Sequence, residues 1–128
     1  SFSEEEAETP AVLHANYGAW LAQHKYGIQD PEILSAILYH TTGKPAMSML
    51  EKIVYIADYI EPRRYKAENL PEIRALAYED LDETMYQILK GTLNYLEKKK
   101  SKIDPMTMKA CEYYQEIHGQ KERKKGER

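Results

Sequence analysis

Residues 30–62 read DPEILSAILYHTTGKPAMSMLEKIVYIADYIEP, and their spacing decides the fold class. Asp30 stands as an N-cap in front of Pro31, a residue suited to the first helical position. Ile33, Ile37 and His40 then recur at helical spacing, with Leu34 and Leu38 widening the stripe. Gly43 and Pro45 stop that helix. Ser48 and Glu51 have the spacing of a capping box and open a second helix. In it Leu50, Ile53, Val54, Ala57 and Ile60 mark one apolar face up to Pro62, which the helix cannot pass. Glu51 and Lys52 fall on its polar side, and Lys52 is expected to be structural through surface pairing. Two residues resist a packing explanation: His40 extends the buried stripe, and Asp58 lies at the margin of an inward face, where leucine would pack as well.

The rest of the chain repeats the helical period. AVLHANYGAWLAQHKY, at about 11–26, predicts a helix that stops at Gly27. The charged stretch RRYKAEN leads to a short helix at about 71–78. Asp80 and Glu83 signal the start of a long one over about 81–99, with Met85, Ile88, Leu89, Thr92, Leu93 and Leu96 as its stripe. Asp104 and Pro105 open a last helix that is expected to run to about His118 and Gly119. No segment alternates with period two, and no Asn-Gly or Asp-Gly hairpin signal occurs. The fold class is therefore all-α, a compact helical bundle with short connections. Residues 1–10 read as an acidic flexible lead-in, 11–119 as the helical domain, and 120–128 as a charged flexible tail.

Composition narrows the function classes. The chain has 128 residues, 42% of them hydrophobic, enough for one domain with a core. A formal net charge of −3 argues against general nucleic-acid binding. The single cysteine, Cys111, rules out an intramolecular disulfide and a multi-cysteine zinc site, and fits a reducing, cytoplasmic setting. No apolar run approaches the roughly 18 residues of a membrane span. The first ten residues, SFSEEEAETP, have neither the basic start nor the apolar centre of a signal peptide.

His14, His24, His40 and Asp58 are the residues that could carry chemistry. A buried carboxylate is costly unless it is paired or holds a cation. Imidazoles and a carboxylate converging from different helices suit iron, manganese or zinc. Spacing alone leaves a plainer reading open, in which His40 is a hydrogen-bonded core residue and Asp58 pairs with Arg63 or Arg64. His24 follows Trp20 by one turn and reads as a surface or stacking residue. His118, at the expected end of its helix, is explained by the helix dipole.

The segments LHANYGAWLAQHKYGIQDPEILSAILYHTTG and LEKIVYIADYIEPRR resemble, motif by motif, the C-terminal two-thirds of an HD-superfamily phosphohydrolase of the YqeK type. That family hydrolyses diadenosine tetraphosphate symmetrically to two ADP. The resemblance covers about 11–100, and it implies an HD-type helical domain and a divalent metal, iron first and manganese or another transition metal next. By this resemblance His14 in LHA and His40 in YHTTG match the third and fourth metal-binding histidines, and Asp58 in ADYIEP matches the final aspartate. The family's first histidine and its His-Asp pair have no match here, so the chain is expected to be an N-terminally truncated, inactive portion of a longer enzyme.

The resemblance further implies metal-assisted attack by water on a phosphate. Thr41, Thr42, Lys44, Arg63 and Arg64 are the expected substrate contacts, Thr42 and Arg63 foremost because they flank the two motifs. The implied partner is a dinucleoside polyphosphate, with no nucleic acid and no membrane, and with a homodimer as one way to cover exposed apolar surface. Two other functions remain open: an HD-type hydrolase acting on another nucleotide, and a helical binding module without catalysis.

Overall fold

The computed structural model describes residues 10–61 and 69–127. They form six helices and, among the described residues, no strand. In chain order these are α1 (Pro10–His24), α2 (Pro31–Leu38), α3 (Met49–Tyr59), α4 (Leu70–Ala77), α5 (Leu81–Lys98) and α6 (Pro105–Gly126). The order of packing is nearly sequential. α1 lies on α2, α2 on α3, α4 on α5 and α5 on α6, while α3 crosses to α5 and joins the two halves.

The helix starts follow the capping chemistry. Asp30 accepts the Glu32 N–H at 2.9 Å, and Pro31 occupies the first turn. Ser48 and Glu51 form the reciprocal box, Glu51 N–H to Ser48 Oγ at 3.2 Å and Ser48 N–H to Glu51 Oε1 at 2.9 Å. Asp80 accepts the Glu83 N–H at 3.0 Å, and Asp104 the Met106 N–H at 2.8 Å. Each such cap is worth about 1 kcal/mol.

α5 is the centre of the core. Met85, Ile88 and Leu89 have no exposed surface, and Tyr55, Ile56, Ile73 and Ala110 pack around them from α3, α4 and α6. Burying a side chain of this size contributes roughly 1.5–3 kcal/mol. Thr92, Leu93 and Leu96, in the same expected stripe, are only half-buried.

Two expectations are corrected by the packing. On α3 the side turned to the core carries Glu51, Tyr55 and Ile56, whereas Ile53 is 48% exposed and Ala57 is also exposed. The aromatic rings of α3 fill the space against α5, and the aliphatic stripe of Ile53 and Ala57 faces outward. At the other end of the chain, α6 does not stop at His118 and Gly119 but continues to Gly126. Its extra turns are tied to the start of α5. His118 Nδ1 donates to the Glu83 carboxylate at 2.9 and 3.0 Å, and Lys121 Nζ sits 2.6 Å from Asp80 Oδ2. The His118 ring also stacks on Tyr86, with centroids 4.6 Å apart. A partner on α5, not a helix terminus, accounts for His118.

The link from α2 to α3 is buried at Thr42, Gly43 and Met47, where its backbone needs internal partners. Gly43 turns it at φ +72°, a region that favours glycine, with Ala110, Leu89 and Tyr55 packed around the turn. The buried Met47 N–H donates to the Tyr114 hydroxyl at 3.0 Å, a bond spanning α6 and the loop. Burial pushes the Tyr114 phenol up to about 12, so it stays protonated over the working pH range. Tyr114→Phe keeps the ring and strands the Met47 N–H. It is expected to lower stability by about 1–3 kcal/mol, read as a lower urea midpoint at unchanged slope. An unchanged midpoint would mean that the amide finds another acceptor.

Candidate functional site

The loop from α2 to α3 carries four of the expected site residues, His40, Thr41, Thr42 and Lys44, and α1 brings a fifth to it. The rings of His14 and His40 meet edge to face, with centroids 6.3 Å apart and planes at 69°. His14 is on an exposed side of α1, and His40 is half-buried just beyond the end of α2. Packing of α1 on α2 is what joins them.

His40 is held in one orientation. Its Nδ1 lies 2.6 Å from the Ile37 carbonyl oxygen. A carbonyl can only accept, so Nδ1 carries a proton, and in the neutral ring it is Nε2 that has the lone pair. This is the arrangement by which a metal-ligating histidine is oriented through its second nitrogen. The hydrogen-bonded core histidine allowed by the spacing and the ligand implied by the resemblance are thus compatible: one ring nitrogen makes the bond and the other is left to ligate.

The threonines differ from each other. Thr42 is buried and its Oγ1 donates to the Gly43 carbonyl at 2.8 Å, which uses its hydrogen locally. Thr41 Oγ1 is buried with no hydrogen-bond partner, as is Asn16 Nδ2 on α1. Such groups cost free energy unless something supplies a partner. Of the two threonines, Thr42 therefore has its hydroxyl bonded within the loop and Thr41 does not.

Lys44 is fixed from two sides. Its Nζ is 3.0 Å from Glu51 Oε2 and 5.3 Å from the centroid of the Tyr39 ring. Asp58 lies on the exposed side of α3, near its C-terminal end. Among the described residues, no three His, Cys, Asp or Glu side chains are grouped so as to hold a metal ion. The two imidazoles alone fit part of a transition-metal donor set and not the whole of one. Arg63 and Arg64 lie outside the described residues. His24 stacks on Trp20 at 4.8 Å between centroids, as its spacing indicates.

Glu51 is the residue that the sequence reading misplaced. It is 4% exposed, not on a polar surface, while Lys52 makes an ion pair with Asp82 at 2.9 Å. Ser35 Oγ donates to Glu51 Oε2, the oxygen that also meets Lys44. Burial by itself pushes the Glu51 carboxyl up, but the bonds from Ser35, Ser48 and Lys44 outweigh it and hold the carboxyl below its ordinary value of 4.5. A carboxyl lowered on folding adds stability that is present above 4.5 and is lost as pH falls through the lower folded value. Acid titration of stability should show this loss below about pH 4.5, and Glu51→Gln should remove Glu51's share of it. An identical acid limb in the variant would contradict this assignment.

No family model matches the chain. It is 46% identical over 98 residues to a Bacillus subtilis protein called bis(5'-nucleosyl)-tetraphosphatase, symmetrical, covering 77% of this chain and 52% of that protein. A protein of the same name from Staphylococcus aureus is 42% identical over 105 residues, covering 80% and 54%. A crystal structure of an HD superfamily hydrolase from Clostridium acetobutylicum, described as involved in NAD metabolism, superposes with a TM-score of 0.85 at 37% identity. That match covers 91% of this chain and 61% of the other. The chain spans about half the length of the relatives it matches in sequence. Among the described residues no helix is long and apolar enough to cross a membrane. Over that shared half, the chain is a homologue of the proteins named symmetrical bis(5'-nucleosyl)-tetraphosphatase, and its fold is that of an HD superfamily hydrolase.

Proposed function

We propose that the protein containing this chain is a metal-dependent phosphohydrolase that cleaves dinucleoside tetraphosphates symmetrically, giving two ADP from diadenosine tetraphosphate. The observation that carries the reading is the meeting of His14 and His40, with His40 Nδ1 donating to the Ile37 carbonyl so that Nε2 of the neutral ring has the lone pair a metal would take. The names of the sequence relatives support the substrate. His14, His40 and Asp58 are the proposed ligands. Iron is the proposed metal and manganese the next choice, since imidazole and carboxylate suit both. When bound, a transition metal supplies acidification of water and charge stabilisation at phosphorus.

The chain's own residues do the rest. His40 is kept in one tautomer by Ile37, and Thr41 offers a buried hydroxyl to bound substrate. Lys44 offers positive charge to the polyphosphate, and Arg63 and Arg64 are proposed to do the same. Cytoplasmic location is part of this reading, since the substrate is a nucleotide and the lone Cys111 is free. So is association of two copies across the outward side of α3, where Met49 is 60% and Ile53 is 48% exposed.

Product analysis tests the proposal. Incubation of the full-length protein with diadenosine tetraphosphate is expected to give ADP alone. AMP and ATP in equal amounts would mean asymmetric cleavage and overturn it, and no turnover with any metal would favour a binding module. His40→Ala is expected to lower kcat by at least about 100-fold, more than the loss of an outer-shell partner costs.

A further inference from the structure

Glu51 does more than a capping box requires. Glutamine serves that box as well as glutamate, and a box residue works at the surface. Glu51 is instead 4% exposed and ionised, and its carboxylate meets groups from three segments. Oε1 takes the Ser48 N–H at the start of α3. Oε2 takes the Ser35 hydroxyl from α2 and lies 3.0 Å from the Lys44 ammonium of the loop. The charge serves Lys44, since neither the box nor Ser35 needs it.

Lys44 is accordingly unlike an ordinary loop lysine. Its side chain is 28% exposed, with Glu51 at one side of the ammonium and the Tyr39 ring at another. A free lysine loses much rotamer entropy when it is immobilised on a ligand. Here that loss is taken at folding. An ammonium has three N–H donors and the Glu51 contact needs one, so the group can pair with Glu51 and still meet an anion. The same loop presents His40 and the unpartnered Thr41 hydroxyl.

We propose that Glu51 is a positioning residue for polyphosphate binding: its buried carboxylate fixes the Lys44 ammonium, and through Lys44 it sets affinity for the phosphate chain of the substrate. This rests on the function proposed above and adds to it a residue that touches no substrate. Because Glu51 acts through Lys44, its effect on binding must vanish when Lys44 is gone.

A double-mutant cycle reads this directly. The full-length protein, Glu51→Gln, Lys44→Met and the double variant are titrated with inorganic tripolyphosphate by calorimetry, and kcat/KM for diadenosine tetraphosphate is measured on the same four. Glu51→Gln is expected to weaken tripolyphosphate binding about tenfold, in keeping with loss of a charge-assisted contact. It is expected to change nothing further in the Lys44→Met background. Equal losses in both backgrounds would make Glu51 merely structural and overturn the proposal. Unchanged or tighter binding in Glu51→Gln would overturn it too, as would wild-type protein that binds no tripolyphosphate. If Glu51→Gln fails to fold, Glu51→Asp, which keeps the charge on a shorter stem, is read in the same cycle. Loss of fold in both variants assigns Glu51 to structure alone and overturns the proposal. Tripolyphosphate binding with the expected cycle but no diadenosine tetraphosphate turnover would sink the hydrolase reading while upholding the role of Glu51.

Discussion

A buried, ionised carboxylate sits where α2, the loop and α3 meet, and the arrangement of the candidate site depends on it. Glu51 can be buried because each of its oxygens is met: Ser48 N–H at one, Ser35 and Lys44 at the other. An unpaired carboxylate in that position would cost several kcal/mol. Its partners therefore have to be in place together, which couples the helix start, the α2 side chain and the loop lysine. The Met47–Tyr114 bond and the Gly43 turn pin the same loop from the α6 side. The segment that carries His40 is thus held by contacts to three helices, as a preorganised site requires.

The same loop carries the Thr41 hydroxyl, buried and with no hydrogen-bond partner among the described residues, and His40, whose Nδ1 is taken up by the Ile37 carbonyl. The packing of α1 on α2 brings the two histidine rings together at that loop.

Much of this was legible in the sequence, for identifiable reasons. Caps at Asp30, Ser48, Asp80 and Asp104 are local events, set by a side chain and an amide two or three residues on, so they survive any tertiary context. The motifs around His14 and His40 singled them out together, and the structure brings their rings within 6.3 Å of each other. The inward face of α3 was not legible. Aliphatic residues at helical spacing marked Ile53 and Ala57, while the core took Tyr55 and Ile56 and admitted Glu51. Periodicity weighs a tyrosine or a paired glutamate as polar, and only the partners reveal that either can be buried. The length of α6 was hidden for the same reason. Glu83 and Asp80 lie far away in the chain, so nothing near His118 or Lys121 announces them.

The central claim is that His14 and His40 belong to a metal centre of a hydrolase, and elemental analysis of the full-length protein tests it most directly. The account predicts about one to two iron or manganese ions per chain, most of them lost, together with thermal stability, on treatment with chelator. A metal-free protein that folds fully and melts at the same temperature with and without chelator would contradict it.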